Sequence, residues 1–204
     1  MTAQKVRKVV IVGGGTAGWV AAASVAKLLG KNLDISLIES DEIGTVGVGE
    51  ATIPTLITLH QLLKIDEREF MAAVQGTFKL GISFENWRDV GKDYIHSFGF
   101  TGKDCWAAGF VHFWLKARAQ GNTADFGEYC TELMAAKANK FAVFKPDGLN
   151  YAYHMDASLY AKFMRKIAEQ HGCKRIEGKI IEVGTNADTG FIEHVQLASG
   201  QKVE

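Results

Sequence analysis

The chain has 204 residues, 47% of them hydrophobic and 23% charged, which is the composition of a globular protein large enough for one ordinary domain. Lys plus Arg and Asp plus Glu number 23 each, so the basic excess typical of nucleic-acid binding is absent. The sequence contains no apolar run long enough to span a membrane. Its three cysteines form no CxxC pair, a pattern typical of reduced thiols in a cytoplasmic protein.

The N-terminal residues predict a strand, a helix and a second strand. A short β-branched run at 8–12 is suited to a strand that is buried on both faces. An Ala-rich helix is predicted from Trp19 to Leu29, where Gly30 follows. The second strand covers 35–38 and leads into Glu39. The order is that of a βαβ unit.

A Gly-x-Gly-x-x-Gly sequence lies between the first strand and this helix, where a phosphate-binding loop belongs. Gly13 permits the tight turn, Gly15 allows the backbone to approach a pyrophosphate, and Gly18 lets helix and strand pack closely. Thr16 and Ala17, just before the predicted helix, are also expected to contact the cofactor, and the N–H groups at the helix start point at the phosphates. Glu39 is placed to accept hydrogen bonds from ribose hydroxyls and disfavours the 2′-phosphate of NADP. This pattern does not separate FAD from NAD.

Further elements follow along the chain. Helices are predicted at 55–64 and, capped by Asp66, at 67–74. An aromatic-rich region at 91–149 contains a helix near 113–120. An extended segment at 151–155 precedes a helix capped by Asp156. Three antiparallel strands are predicted at 179–183, 191–197 and from 201 onward. A βαβ start with a later meander indicates a Rossmann-like, α/β FAD-binding fold of the glutathione-reductase type, and the meander favours FAD over NAD.

The motifs closely resemble those of the flavin-dependent tryptophan halogenases, and the resemblance covers nearly the whole chain. The residues that carry it are GGGTAGW at 13–19, GVGEATIP at 47–54, GTFK at 76–79, FENW at 84–87, HFWLK at 112–116 and YHMDA at 153–157. The combination of GVGEATIP with a lysine about 25 residues later is the most specific of these features.

The resemblance implies a function. In this family, FADH2 and oxygen oxidise chloride or bromide to hypohalous acid, and a lysine, as a haloamine or by hydrogen bonding, delivers the halogen to an electron-rich arene such as tryptophan or indole. Lys79 matches that lysine. Its apolar neighbours predict desolvation, which would favour the neutral amine. A separate flavin reductase is the expected partner, since no second nucleotide site for NAD(P)H is evident, and neither a nucleic acid nor a membrane is expected.

The glycine-rich segment at 44–54 matches the strap that covers the flavin in this family. The expected cofactor contacts there are Gly49, Glu50, Ala51 and Thr52, with capping of the next helix as the alternative role for Glu50. His96 and Pro54 are candidates for substrate contact, and for His96 a structural role is equally compatible. The six histidines form neither HxxxH nor HExxH, so no metal site is predicted.

The chain departs from the family in length. Family members are more than twice as long, and their GWxWxIP motif and the glutamate that assists the lysine are expected beyond Glu204. The chain is therefore expected to be a fragment, incomplete for activity, with 1–60 and 150–204 forming the flavin-binding core and 61–149 a substrate-side insertion. The alternatives are a flavin monooxygenase that hydroxylates its substrate and a non-catalytic flavin-binding fragment.

Overall fold

The computed structural model describes residues 5–43, 49–143 and 148–204. The strands are β1 (Lys8–Val12), β2 (Asp34–Glu39), β3 (Gly49–Ala51), β4 (Thr77–Lys79), β5 (Gly81–Glu85), β6 (Asp93–Ser97), β7 (Ala152–Asp156), β8 (Lys174–Glu177), β9 (Ile180–Thr185), β10 (Ile192–Leu197) and β11 (Lys202–Val203). The α-helices are α1 (Thr16–Leu29), α2 (Thr55–Leu62), α3 (Glu67–Val74), α4 (Phe110–Ala119), α5 (Thr131–Lys137) and α6 (Ala157–Gln170).

The chain forms two compact units. The first comprises Met1–Glu50, Leu62–Gly76 and Met155–Glu204, and the second comprises Ala51–Gln61 and Thr77–His154. Residues 62–76 thus lie in the first unit, whereas the sequence prediction assigned them to the inserted region. The physical reason is that α3 packs on α6, where the ring of Phe70 meets those of Tyr160 and Phe163 edge to face.

A parallel sheet with the order β1-β2-β8 organises the first unit. The central strand, β2, is buried from Ile35 to Ile38, including the polar residue Ser36, because it pairs with β1 on one edge and β8 on the other. The helix α1 packs against β2 and α6, and its buried alanines, Ala22, Ala23 and Ala26, allow a close approach. The predicted βαβ unit is confirmed, but the predicted burial of the first strand on both faces is wrong: β1 is exposed at Lys8 and Val12 and only half-buried between them.

The predicted meander is also confirmed, as the antiparallel sheet β9-β10-β11. Its apolar residues Val195, Leu197 and Val203 form a buried cluster with Ile38 of the parallel sheet. The two sheets therefore share one core, which is the arrangement that the Rossmann-like FAD-binding fold predicts.

The second unit contains an antiparallel hairpin of β5 and β6 and an antiparallel pairing of β4 with β7, in which Lys79 lies opposite Ala152. The strand β3 pairs with the other edge of β7, giving the order β3-β7-β4. The predicted helix at 113–120 begins three residues earlier, at Phe110, after the extended residue Gly109. The rings of Phe110 and Trp114 both pack on Phe126.

Candidate functional site: a dinucleotide cavity and a buried lysine

The first unit contains a cavity of about 670 Å³ where β1 and β2 end and α1 begins. Ligands of open α/β sheets bind at this edge, beyond the carboxyl ends of the strands. The lining residues are Val12, Gly13, Gly14, Gly15, Thr16, Ala17, Ile38, Glu39, Ser40, Asp41, Ile43, Glu50, Ala157, Gly178 and Ile180. Five of the residues predicted from the sequence as cofactor contacts are brought together by the glycine loop and β2: Gly13, Gly15, Thr16, Ala17 and Glu39.

The glycines of the loop are required for different reasons. Gly13 has a φ of +108°, a conformation that side chains disfavour. A Cβ on Gly18 would lie 1.9 Å from the carbonyl oxygen of Gly13, so close packing excludes it. A Cβ on Gly14 would lie 1.6 Å from Oε2 of Glu39. A Cβ on Gly15 would meet no atom within 4 Å and would occupy space at the cavity wall. No protein atom occupies the space beside Gly15, so this space is open to a ligand.

Glu39 accepts hydrogen bonds on both of its carboxylate oxygens. Trp19 Nε1 donates to Oε2 at 3.1 Å, Arg165 donates to Oε1 at 3.3 Å, and Arg175 Nε donates to Oε1 as well. The side chain of Glu39 is only 15% exposed. Since a carboxylate offers about four lone-pair sites, three donors leave one acceptor position on Oε2. The protein thus fixes the orientation of Glu39 while leaving capacity for a ribose hydroxyl.

Arg175 is held by three carboxylates. Besides Glu39, its guanidinium donates to Asp41 at 2.7 Å and to Glu177. The hydrogen bond to Glu39 is the main cause that raises the pKa of Arg175. An arginine engaged in this way has little donor capacity left for a 2′-phosphate, and the surrounding carboxylates repel one. This environment fits FAD or NAD and not NADP.

Glu50 lines the same cavity. Burial and, secondarily, the charge of Glu50 raise the pKa of Tyr160, which keeps that phenol protonated. Thr16 Oγ1 donates to the backbone carbonyl of Ala157 at 3.4 Å and so ties the start of α1 to the start of α6. Gly49 and Ala51 flank Glu50 in β3. Residues 44–48 of the predicted strap lie outside the described residues.

Lys79 lies at the end of β4 and is buried, with 7% of its surface exposed. Its Nζ donates to the backbone carbonyl of Thr52 at 3.0 Å and lies 5.4 Å from the ring centre of Phe98. In the described part of the chain, no carboxylate forms an ion pair with it. Burial lowers the pKa of Lys79 from its ordinary value of 10.5. The environment therefore favours the neutral amine more than water does.

The remaining predicted contacts belong to the second unit. Thr52 is the acceptor for Lys79 through its backbone, and its other partners are backbone atoms of Tyr153. His96 is exposed on β6, paired with Ile82 of β5. Pro54 directly precedes α2. Phe98, which lies against the amine of Lys79, was not among the predicted site residues, although it follows the candidate His96 by two positions.

No metal-binding group of three or more His, Cys, Asp or Glu residues occurs among residues 5–43, 49–143 and 148–204. In the same ranges, no helix is both long and apolar enough to cross a membrane.

The model of the family described as tryptophan halogenase matches residues 8–204. The chain belongs to the tryptophan halogenase family. RebH, a tryptophan 7-halogenase of Lentzea aerocolonigenes, is 36% identical in an alignment that covers 97% of this chain and 40% of RebH. This match confirms the resemblance to the flavin-dependent tryptophan halogenases that the sequence motifs indicate.

Solved structures of the same family agree with the fold. Xcc4156, a flavin-dependent halogenase from Xanthomonas campestris, is 61% identical with a TM-score of 0.93, covering 98% of this chain and 41% of Xcc4156. BrvH, a flavin-dependent halogenase from Brevundimonas sp. BAL3, is 40% identical with a TM-score of 0.87, covering 98% and 41% of the two chains. This tryptophan halogenase family member thus spans about two-fifths of the length of these relatives.

Proposed function

We propose that this chain is the FAD-binding part of a flavin-dependent halogenase that uses FADH2, oxygen and chloride or bromide to halogenate an electron-rich arene. The observation that carries the proposal is Lys79, a buried lysine whose amine is held by a backbone carbonyl and by no described carboxylate. The dinucleotide cavity and the membership of this family support a chemical role for this lysine.

The first unit fits FAD as its cofactor. Open space over Gly15 and the N–H groups of the first turn of α1, which have no intrahelical acceptor, suit a pyrophosphate. Glu39 would hold the adenosine ribose through its remaining acceptor position. Bound FADH2 would supply, with oxygen, the oxidant that converts halide to hypohalous acid.

The chemistry of Lys79 depends on its protonation state. The neutral amine can attack the halogen of hypohalous acid: an N–X bond forms, the O–X bond breaks, and the released hydroxide leaves as water with the amine proton. Transfer to an arene then forms a C–X bond while the N–X bond breaks, and the proton lost from the ring restores the amine. The protonated amine can instead hold hypohalous acid by hydrogen bonding. The lowered pKa favours the first route because an ammonium has no lone pair for the attack.

The proposed partners follow from this scheme. A separate flavin reductase would supply FADH2, and the substrate would be a small aromatic compound such as tryptophan or indole. RebH is by name a tryptophan 7-halogenase, which supports tryptophan as the first compound to test. Glu50, the strap at 44–54, His96 and Pro54 remain predictions for flavin and substrate contact.

The test uses the complete gene product, supplied with FADH2 by a reductase and with oxygen and bromide. Tryptophan, indole and several phenols are offered, and products are identified by mass spectrometry. We expect brominated product from the wild type and none from Lys79→Ala, although the variant still consumes FADH2. Lys92→Ala is the matched control, since Lys92 lies in the same unit with a side chain that is 78% exposed. Hydroxylated product, or bromination that survives Lys79→Ala, would favour the monooxygenase alternative.

A further inference from the structure

Lys79 has two described neighbours that fix its amine. One is the backbone carbonyl of Thr52, 3.0 Å from Nζ, and the other is the face of Phe98, 5.4 Å away at its centre. Because the side chain is buried, the amine cannot exchange these neighbours freely with water. The direction of the amine therefore depends on how firmly the Thr52 carbonyl is held.

Thr52 is held by three hydrogen bonds to the backbone of Tyr153. Thr52 N–H donates to Tyr153 O at 2.9 Å, and Thr52 Oγ1 donates to the same oxygen at 3.1 Å. Tyr153 N–H donates back to Thr52 Oγ1 at 2.9 Å. The hydroxyl thus serves as both donor and acceptor, which is the full use of a threonine side chain between two backbone groups. We call these three hydrogen bonds the Thr52–Tyr153 clamp. Because the threonine side chain has few χ1 rotamers, forming the clamp costs little additional conformational entropy.

The clamp and Lys79 are connected through one sheet. Tyr153 on β7 lies opposite Phe78 on β4, and Lys79 is the next residue on β4. A displacement of Thr52 from Tyr153 would move the acceptor of Lys79 away from the strand that carries the lysine. These contacts give Thr52 partners other than the flavin contact that the sequence predicted for it.

We propose that Thr52 is a positioning residue for Lys79: its hydroxyl fixes the backbone carbonyl to which the amine donates, and so sets the direction from which the amine meets its reactant. The inference rests on the proposed role of Lys79. A neutral amine has two N–H groups and one lone pair, and donation of one N–H to a fixed carbonyl restricts the directions open to the lone pair. An attack on a halogen requires that restriction, because the reacting atoms must be aligned.

The test measures the reactivity of Lys79 directly, in the complete gene product. Wild type, Thr52→Val and Thr52→Ser are treated with acetic anhydride, and acetylation of Lys79 is followed by peptide mass spectrometry. Valine keeps the shape of threonine without the hydroxyl, and serine keeps the hydroxyl. The exposed Lys92 reports the reagent concentration. Cys130, a fully buried thiol of the same unit, reports general loosening when a thiol reagent is applied in parallel.

The deciding quantity is the rate of Lys79 acetylation divided by the rate of Cys130 modification, compared between each variant and the wild type. Acetic anhydride reaches the buried amine from solvent, so its attack is limited by how easily the amine leaves its fixed direction. We therefore expect this ratio to rise about tenfold or more in Thr52→Val, since the amine loses its fixed acceptor, and to stay within about twofold in Thr52→Ser. An unchanged ratio in Thr52→Val, or an equal rise in both variants, would overturn the proposal. Acetylation needs no halogenation, so this result is independent of whether the complete protein halogenates any compound.

Discussion

Substitution of two glycines of the phosphate-binding loop, Gly15 and Gly18, should affect ligand binding and folding stability separately. Gly15 has φ −70° and ψ 178°, an extended conformation that alanine adopts without strain, and a Cβ there meets no atom within 4 Å. Gly15→Ala should therefore fold as the wild type does. Its methyl group would occupy the cavity wall and hold a pyrophosphate away from the backbone N–H groups. Loss of one charge-assisted hydrogen bond costs about 1.5–3 kcal/mol, so the Kd for FAD should rise about 10- to 150-fold.

Gly18→Ala should behave in the opposite way. Its Cβ would lie 1.9 Å from the Gly13 carbonyl oxygen, whereas real Cβ contacts stay above 3.0 Å, so helix and loop must move apart. Overpacking of this kind costs about 1–3 kcal/mol, which for a chain of this length lowers Tm by about 2–12 °C.

Both variants are compared with wild type by scanning calorimetry without ligand and by flavin fluorescence titration with FAD. We expect Gly15→Ala to keep the wild-type Tm and lose affinity, and Gly18→Ala to lose Tm. The reasoning is refuted if Gly15→Ala binds FAD with wild-type affinity, because the open space over Gly15 would then have no part in binding. It is also refuted if Gly15→Ala unfolds as early as Gly18→Ala.

Three further predictions concern Glu39 and Lys79. Arg175→Met should raise the Kd for FAD about tenfold by releasing Glu39, whereas Lys174→Met, which removes an exposed ion pair on the same strand, should leave that Kd unchanged in the same titration. Glu39→Gln should weaken hydrogen bonds to two guanidinium groups and lower the free energy of unfolding by about 2 kcal/mol in urea titrations; an unchanged midpoint would contradict the network. Burial lowers the pKa of Lys79 below 10.5, so the unfolded chain retains a proton that the folded chain has lost. The free energy of unfolding should rise with pH between the lowered pKa and 10.5, and Lys79→Met should reduce that slope.

The elements predicted best are those with an unbroken local signal. The buried run of β2, the Ala-rich α1 and the capped helix α6 lie within a few residues of their predicted bounds because apolar periodicity and caps are local properties. The strand β8 was not predicted. It has four residues, three of them charged, and it lies at the edge of the sheet, where it pairs with β2 alone. Its existence depends on a partner strand more than 130 residues earlier, which no local pattern reveals.

The candidate site shows the same division. The glycine loop and Glu39 could be predicted because the spacing of the fingerprint is set by the geometry of one strand, one turn and one helix. The donors that hold Glu39 could not, since Arg165 and Arg175 follow it by 126 and 136 residues. The contact of Lys79 with the Thr52 carbonyl is also invisible in sequence, because any residue at position 52 would offer a carbonyl.

Gly14 shows why a fingerprint understates what the loop requires. The motif leaves this position open, yet the carboxylate of Glu39 occupies the space where a Cβ of residue 14 would lie. The acid reaches Trp19 and the two arginines only because that space is empty. The orientation of Glu39, at the end of the next strand, therefore depends on the absence of a side chain at position 14 of the loop. The ribose-binding capacity that we assign to Glu39 therefore depends on Gly14 as much as on Trp19, Arg165 and Arg175, which donate hydrogen bonds to the Glu39 carboxylate.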